Sequence, residues 1–285
     1  MENTIIRYDN NENMIHIKYS NGYEEWHDNK RNSIHRKNSN GYEQWFDYDE
    51  KGNLIHCKNT EGYEEWYDDN GKLIHSKWSD GYEEWYDDNG NMIHSKNSDG
   101  SEVWCNENGN LIHIKNPNGL EEWYDENENM IHSKNSDGYE KWYDYDENGN
   151  KIHYKNSDGF ETWKDYNDKG NCIHYKDSSG CEEWHDEKKR LIHYKNSDGS
   201  EGWHDYDENG NLIHRKCSGG IEQWYDEKGR LMHYKEDSNG YEEWYDEKGK
   251  LIHRKNFNGL EGWFDENGNL IHYKDSNGYE YGIPR

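Results

Sequence analysis

Residues 81–100, GYEEWYDDNGNMIHSKNSDG, contain two short runs rich in aromatic and branched side chains, each closed by a cluster of Asn, Asp, Ser and Gly. That spelling describes two β-strands joined by tight turns, and runs this short with this much glycine exclude helix. The pattern extends in both directions. Aligned on histidine it gives His16, His35, His56, His75, His94, His113, His132, His153, His174, His193, His214, His233, His253 and His272, separated by 19, 20 or 21 residues. A fixed period outranks chain length as a guide to architecture. The expected fold is therefore all-β, a tandem array of about fourteen β-hairpin repeats forming an extended or spiralling antiparallel sheet. It is read as a single repeat domain over 1–285, with a partial repeat or cap at 1–18 and a cap at 278–285.

Composition agrees with an unusual interior. Alanine is absent, Val103 is the only valine, and Pro117 and Pro284 are the only prolines, so 14 Trp and 25 Tyr must supply the buried apolar area. That aromatic content argues against disorder, although 33% of the residues are charged. The formal charge of -27 disfavours binding to a phosphate backbone and favours a basic protein surface. Cys57, Cys105, Cys172, Cys181 and Cys217 are odd in number and show no ligand spacing, so they read as free thiols of a reducing compartment. Residues 1–9 enter the repeat at once, with no basic and apolar leader and no long apolar span, which predicts a cytoplasmic location and no membrane contact.

Within the repeat, Gly, the Glu two places later, His and Lys recur in all fourteen units and Trp in thirteen. Alternate strand residues point to opposite faces, so Glu shares a face with Trp, and Leu, His and Lys share one. An odd repeat must combine turns of opposite parity or exchange its faces at every unit. A two-residue loop at Asn89-Gly90 followed by a type I turn with Gly100 in a bulge pairs Glu83 with Lys96 and Trp85 with His94. It then brings Lys96 to Glu102 and His94 to Trp104. This register predicts continuous Glu/Lys and Trp/His ladders on one face, with the variable positions and the Ile on the other. Units containing Asp47-Tyr48-Asp49, Asp144-Tyr145-Asp146, Asp165-Tyr166-Asn167 and Asp205-Tyr206-Asp207 gain two residues, which lengthens a hairpin without exchanging faces. The 20-residue spacing from His233 to His253 predicts a bulge or widened turn near 235–240.

At Trp142-Tyr143-Asp144-Tyr145-Asp146-Glu147-Asn148-Gly149 the chain resembles the YD repeats of Rhs-type proteins, whose units of similar length carry Y-x-Y-D-x-x-G and form hairpins in a spiralling sheet. Trp142 replaces the first Tyr, most units are shorter, and no Rhs core motif or toxin segment is present, so the resemblance does not imply toxin encapsulation. The chain is similar, more closely, to G-x-E-x-W…I-H-x-K arrays encoded by phages and AT-rich bacterial genomes. That likeness implies a mobile-element protein and supplies no mechanism. Choline-binding and MORN repeats share aromatic hairpins of this size without sharing the residue spacings.

Several chemistries can be weighed on the residues. The histidines could form a pH-responsive ladder, but a row of cross-strand structural pairs accounts for them more simply. Metal binding is disfavoured by the Lys of H-x-K and by the lack of a fixed Cys. Asp144-x-Asp146-x-Asn148-Gly149 and Asp205-x-Asp207-x-Asn209-Gly210 match half of a calcium loop, yet Lys155 and Lys216 stand where a bidentate Glu is needed. Glycosidase carboxylates need unlike environments, whereas every recurring Glu here has a copied one, and no nucleophile or cofactor motif appears. The protein is accordingly expected to be no enzyme and to need no cofactor.

The charge is more informative once located. Setting aside the fourteen recurring Glu and fourteen recurring Lys leaves 47 acids and 20 bases, so turns and variable positions hold the full excess. The candidate partner-binding residues are Glu65, Asp68, Asp69, Glu84, Asp87, Asp88, Glu122, Glu126, Asp146, Glu147, Asp207 and Glu208. Solubility and protection of sheet edges explain such a surface equally simply. The expected partner is a basic, nucleic-acid-binding protein, bound without direct contact to nucleic acid. An inhibitor of a defence protein, anti-CRISPR or anti-restriction, acting by nucleic-acid mimicry would fit. A carbohydrate or cell-wall binding array using Trp and Tyr is the alternative, and a structural spine the third.

Overall fold

The computed structural model describes residues 4–256 and 258–282; residues 1–3 and 283–285 of the two expected caps, Pro284 included, lie outside them. The described residues are all-β, with 29 strands from β1 (Ile5–Tyr8) to β29 (Glu280–Gly282) and no helix. They fall into two compact units, 1–142 and 143–285. Within each unit strands adjacent in sequence pair antiparallel, and contacts between elements join only such neighbours. Few side chains are therefore fully enclosed. Among the described residues Tyr143 is the one buried apolar side chain, and the other buried side chains are polar, such as Ser76, Ser95 and Ser133.

The predicted pairings hold. On β9 (Glu83–Tyr86) and β10 (Met92–Lys96), Glu83 faces Lys96 and Trp85 faces His94, and on β11 (Glu102–Cys105) Glu102 and Trp104 complete the row. The expected origin of that register does not hold. In the first turn Asp87 N–H donates to Asn91 O and Gly90 N–H to Asp87 O, the same arrangement as Asn97 with Ser101 and Gly100 with Asn97 in the second. Both are type I turns closed by a glycine at positive φ, 84° at Gly90 and 86° at Gly100. Parity is restored instead by a β-bulge at Ile93, between Met92 and His94. The same bulge recurs at Ile74, Ile112 and Ile252. It moves Leu or Met away from His and Lys: Met92 pairs with Tyr86, and a Cβ on Gly262 would meet Leu270 at 3.0 Å and Phe264 at 3.7 Å. Leu thus belongs to the variable face, contrary to the expected assignment, and the bulged Ile stays partly exposed, 38% at Ile74.

At the ends of the array Arg7 pairs with His16 and Gly282 with His272, each in the place of a Trp. At the 20-residue spacing a widened turn is found: Glu236 pairs with Tyr241 around a four-residue turn, and Lys235 Nζ turns from Glu242 to Asp237 at 2.6 Å.

Candidate functional site: a segmented aromatic ladder and an acidic edge

The recurring face is a stack of alternating rings. In the first unit Trp104 lies between His94 and His113, with ring centroids at 4.6 and 4.3 Å and interplanar angles of 11° and 20°. The recurring Glu ties this stack to the lysines. His35 Nε2 donates to Glu43 Oε2 and Lys37 Nζ to Glu43 Oε1, both at 2.8 Å, and the two bonds hold the Glu43 carboxyl below its ordinary range. The sequence separated a Glu/Lys ladder from a Trp/His ladder; the carboxylates join them.

The stack is interrupted wherever the hairpin is longer by two residues. On β5 (Glu43–Tyr48) and β6 (Leu54–Asn59), Trp45 faces Lys58 and Asp47 faces His56. In the second unit Trp163 faces Lys176 and Asp165 faces His174, and Trp203 faces Lys216 and Asp205 faces His214. The faces are kept, as expected, but the register moves by one pair. Each displaced Asp then accepts a bond from the histidine Nδ1, at 2.9 Å for His56, 3.0 Å for His174 and 2.8 Å for His214. His153 makes the same bond to Asp144 at 2.8 Å. The inserted tyrosines tie the long hairpins to the preceding ones: Tyr48, Tyr166 and Tyr206 hydroxyls donate to the carbonyls of Ser33, Lys151 and Leu191 at 2.9 to 3.0 Å.

The variable face proves to be a set of complementary pairs. Glu65 accepts bonds from Tyr63 at 2.7 Å and Tyr67 at 2.6 Å; burial, helped by these bonds, pushes both tyrosine hydroxyls well above their ordinary range, and the bonds hold the Glu65 carboxyl down despite its burial. Glu84 is held by Tyr82 and Tyr86 and stands opposite Ser76 and Ser95, while Glu122 accepts from Tyr124 at 3.2 Å. Where Glu gives way to Gly202, the Tyr194 ring occupies the space, 2.3 Å from where a Cβ would stand. Cys57 is half-buried against Glu65, and burial pushes its thiol up to about 11, which leaves it a poor nucleophile.

These contacts divide the twelve candidate residues. Glu65, Glu84 and Glu122 are half-buried on the sheet face and accept bonds from tyrosines, which makes them pairing groups of that face rather than edge acids. Asp68, Asp87, Asp146 and Asp207 cap first turns: Asp87 Oδ1 accepts the backbone N–H groups of Asn89 and Asn91 at 2.8 Å, and Asp146 those of Asn148 and Asn150. The calcium-loop aspartate Asp146 is thus a turn former, and Lys155 is paired to Glu161 at 2.9 Å. Among the described residues no group of three His, Cys, Asp or Glu is placed to hold a metal ion. Asp69, Asp88, Glu126, Glu147 and Glu208 remain, all exposed at the second position of first turns.

That position is the systematic feature missed by choosing acids singly. In the first unit the first two turns hold Asn10 and Asn29 there, and the next five hold Glu50, Asp69, Asp88, Glu107 and Glu126, all exposed. In the second it holds Glu147, Asp168, Glu187, Glu208, Glu227, Glu247 and Glu266, again all exposed. The turns are held in file by side chains reaching the next backbone carbonyl: Asn91 Nδ2 donates to Glu107 O at 3.0 Å and Lys188 Nζ to Glu208 O at 3.1 Å. The opposite edge packs differently, with Cβ positions on Gly62 and Gly119 only 2.7 and 2.9 Å from Ser79 and Ser136 Cβ.

No protein-family profile and no curated protein matches the chain. Similar solved structures include the TcdB2-TccC3 crystal structure, with 12% identity, 98% of this chain and 22% of that one covered, and a TM-score of 0.29. A second is the Photorhabdus luminescens Tc holotoxin pore, at 11% identity, 97% and 18% coverage and a TM-score of 0.27. A third is the TCP10 domain of Danio rerio CPAP with a STIL peptide, at 13% identity, 84% and 99% coverage and a TM-score of 0.22. The chain spans 22% or less of the first two of these chains.

Proposed function

We propose that this is a non-enzymatic binding protein whose acidic turn edge docks on a basic protein surface, that of a nucleic-acid-handling protein in the cytoplasm. The observation that carries this reading is the unbroken row of exposed carboxylates at the second position of the first turns, Glu50 to Glu126 in one unit and Glu147 to Glu266 in the other. Strands spaced ~4.8 Å apart put successive turns of one edge roughly 10 Å apart, so negative charge recurs along a line, as it does on a nucleic-acid backbone. The recurring Glu and Lys neutralise each other, which leaves the turns and variable positions, this edge among them, to carry the formal charge of -27. Such a row accelerates encounter with a basic groove and competes with its nucleic acid. A mobile-element inhibitor of a defence nuclease, anti-CRISPR or anti-restriction, is the role these properties suit.

The test is retention of basic nucleases on the immobilised protein at low salt, with elution by salt and by the nuclease's own nucleic acid. Substituting all twelve turn acids of the two rows by Gln or Asn is expected to abolish retention, and substituting the five of the first unit to weaken it. Failure to retain any basic protein at low salt overturns the proposal.

A further inference from the structure

The segmentation of the ladder creates places that the acidic edge does not explain. A Trp within a run of short hairpins is covered by an imidazole on each face, as Trp104 is. At a long hairpin one cover is withdrawn. Trp163 stacks on His153 at 5.4 Å and 16°, and Trp203 on His193 at 4.9 Å and 9°, while the other side of each faces a lysine across the strand pair. Those lysines are committed elsewhere, Lys176 to Glu182 at 2.9 Å and Lys216 to Glu222 at 2.7 Å. Trp163 and Trp203 are accordingly 39% and 36% exposed, while the continuously stacked Trp rings stay half-buried. Two residues on, and on the same face, stand Asp165 and Asp205, with side chains 71% and 66% exposed. In the first unit Trp45 and Asp47 share this register, but Trp45 stays half-buried and is not an open indole.

We propose that each open indole with its neighbouring aspartate is a seat for an arginine side chain of the basic partner. The chemistry of the vacancy is defined by what fills it elsewhere in the ladder: a flat, nitrogen-bearing ring on the indole face, with an N–H directed at a carboxylate, as His35 does with Trp26 and Glu43. A guanidinium has the same planarity, stacks on Trp, and donates to a carboxylate, and its charge complements the acid excess beside it. A lysine ammonium carries the charge without the plane. Trp163 and Trp203 lie four strands apart, roughly 19 Å along the sheet at ~4.8 Å per strand, so one partner surface can engage both. This inference rests on the reading of a basic protein partner and sharpens it from charge to side-chain type.

The experiment titrates the full chain with two peptides of equal length and charge, hexa-arginine and hexa-lysine, and follows Trp emission and calorimetric affinity. The arginine peptide is expected to bind about five-fold more tightly and to change the indole emission. The paired variant Trp163→Ala and Trp203→Ala should bring it down to the lysine peptide's affinity. Asp165→Asn with Asp205→Asn removes the charge but keeps an amide oxygen that can accept from His174 and His214 Nδ1, and should narrow the preference while the Trp stack is retained, as checked by an unchanged thermal unfolding midpoint. Equal affinities for the two peptides, with salt-sensitive binding of both, overturn the arginine seats and leave the acidic-edge reading standing. Binding of neither peptide overturns both, and an indole response to neutral oligosaccharides but not to arginine overturns the seats in favour of sugar stacking.

Discussion

Asp165 stands opposite His174 in the place that Trp85 takes opposite His94, and its Oδ2 accepts from the imidazole Nδ1 at 3.0 Å. Two added residues have exchanged a stacking contact for a hydrogen bond without altering the face of any residue. Deleting Lys164 and Asp165 should reverse the exchange, setting Trp163 opposite His174 and restoring the stack. Quenching of Trp emission by acrylamide is expected to fall, with stability within about 1 kcal/mol of the parent. Unchanged quenching would show that the insertion does not set the break.

The stack should also be graded in strength. Trp123 lies between His113 and His132, at 4.6 and 4.4 Å, whereas Trp203 has one ring neighbour. Trp123→Ala is expected to cost about 3 kcal/mol and Trp203→Ala roughly half of that. Because contacts join neighbouring strands, the loss should be local, and hydrogen exchange of β13 (Glu121–Tyr124) and its two neighbours is the measurement. Equal costs would deny that the second ring contact contributes.

Most first turns end in Gly at positive φ, but Glu128 occupies that position at φ 63°. A side chain there costs about 1 kcal/mol relative to glycine, so Glu128→Gly should raise stability by that amount in denaturant unfolding. A destabilised variant would mean that the Glu128 side chain makes a compensating contact.

Complementarity on the variable face predicts coupling. Gly202→Glu alone should destabilise by about 1–2 kcal/mol, because the Tyr194 ring fills the space. Adding Tyr194→Ser recreates the Ser and Glu pairing seen at Ser76 and Glu84 and should recover most of the loss. Additive losses in a double-mutant cycle would refute the pairing.

One turn gives a defined acid dependence. Arg230, with Nη2 2.5 Å from Asp226 Oδ2, holds that carboxyl down at about 2. A folded value below the unfolded one means that the contribution is complete above the ordinary aspartate range and is lost as pH falls through about 2. Carboxyl NMR titration should find the Asp226 midpoint there and find it raised in Arg230→Gln. An unmoved midpoint would assign the shift to the turn's backbone N–H groups alone.

The hairpins, their pairings and the neutral Glu/Lys match were readable because Gly, Glu, Trp, His and Lys recur at fixed offsets. The first turn was misread because Asp-x-Asn-Gly spells both a two-residue loop and a type I turn with a glycine bulge. The needed sign was present: both turns carry the same four-residue grammar, so an odd repeat requires an unpaired residue within a strand, and Ile93 is that residue. The open faces of Trp163 and Trp203 could not be read, because the hairpin grows by moving Asp rather than Trp opposite His, a choice made by the turn-proximal register. Nor could Glu65 and Glu84 be told from free surface acids without the tyrosines two residues to either side being seen to fold over them.

The bond from Asn91 to the Glu107 carbonyl has a consequence for growth of the chain. Bonds of this kind, made also by Lys188 and Lys250, tie a turn to the next at the spacing of two strands, so the carboxylates behave as marks on a ruler whose interval does not depend on how many there are. Excising one 19-residue unit, such as 100–118, removes a single mark and leaves the interval between the others unchanged. Duplication lengthens the scale by the same rule. Selection acting on a protein of this kind can adjust reach by counting units, and adjust fit by placing the two-residue insertions, as two separate variables.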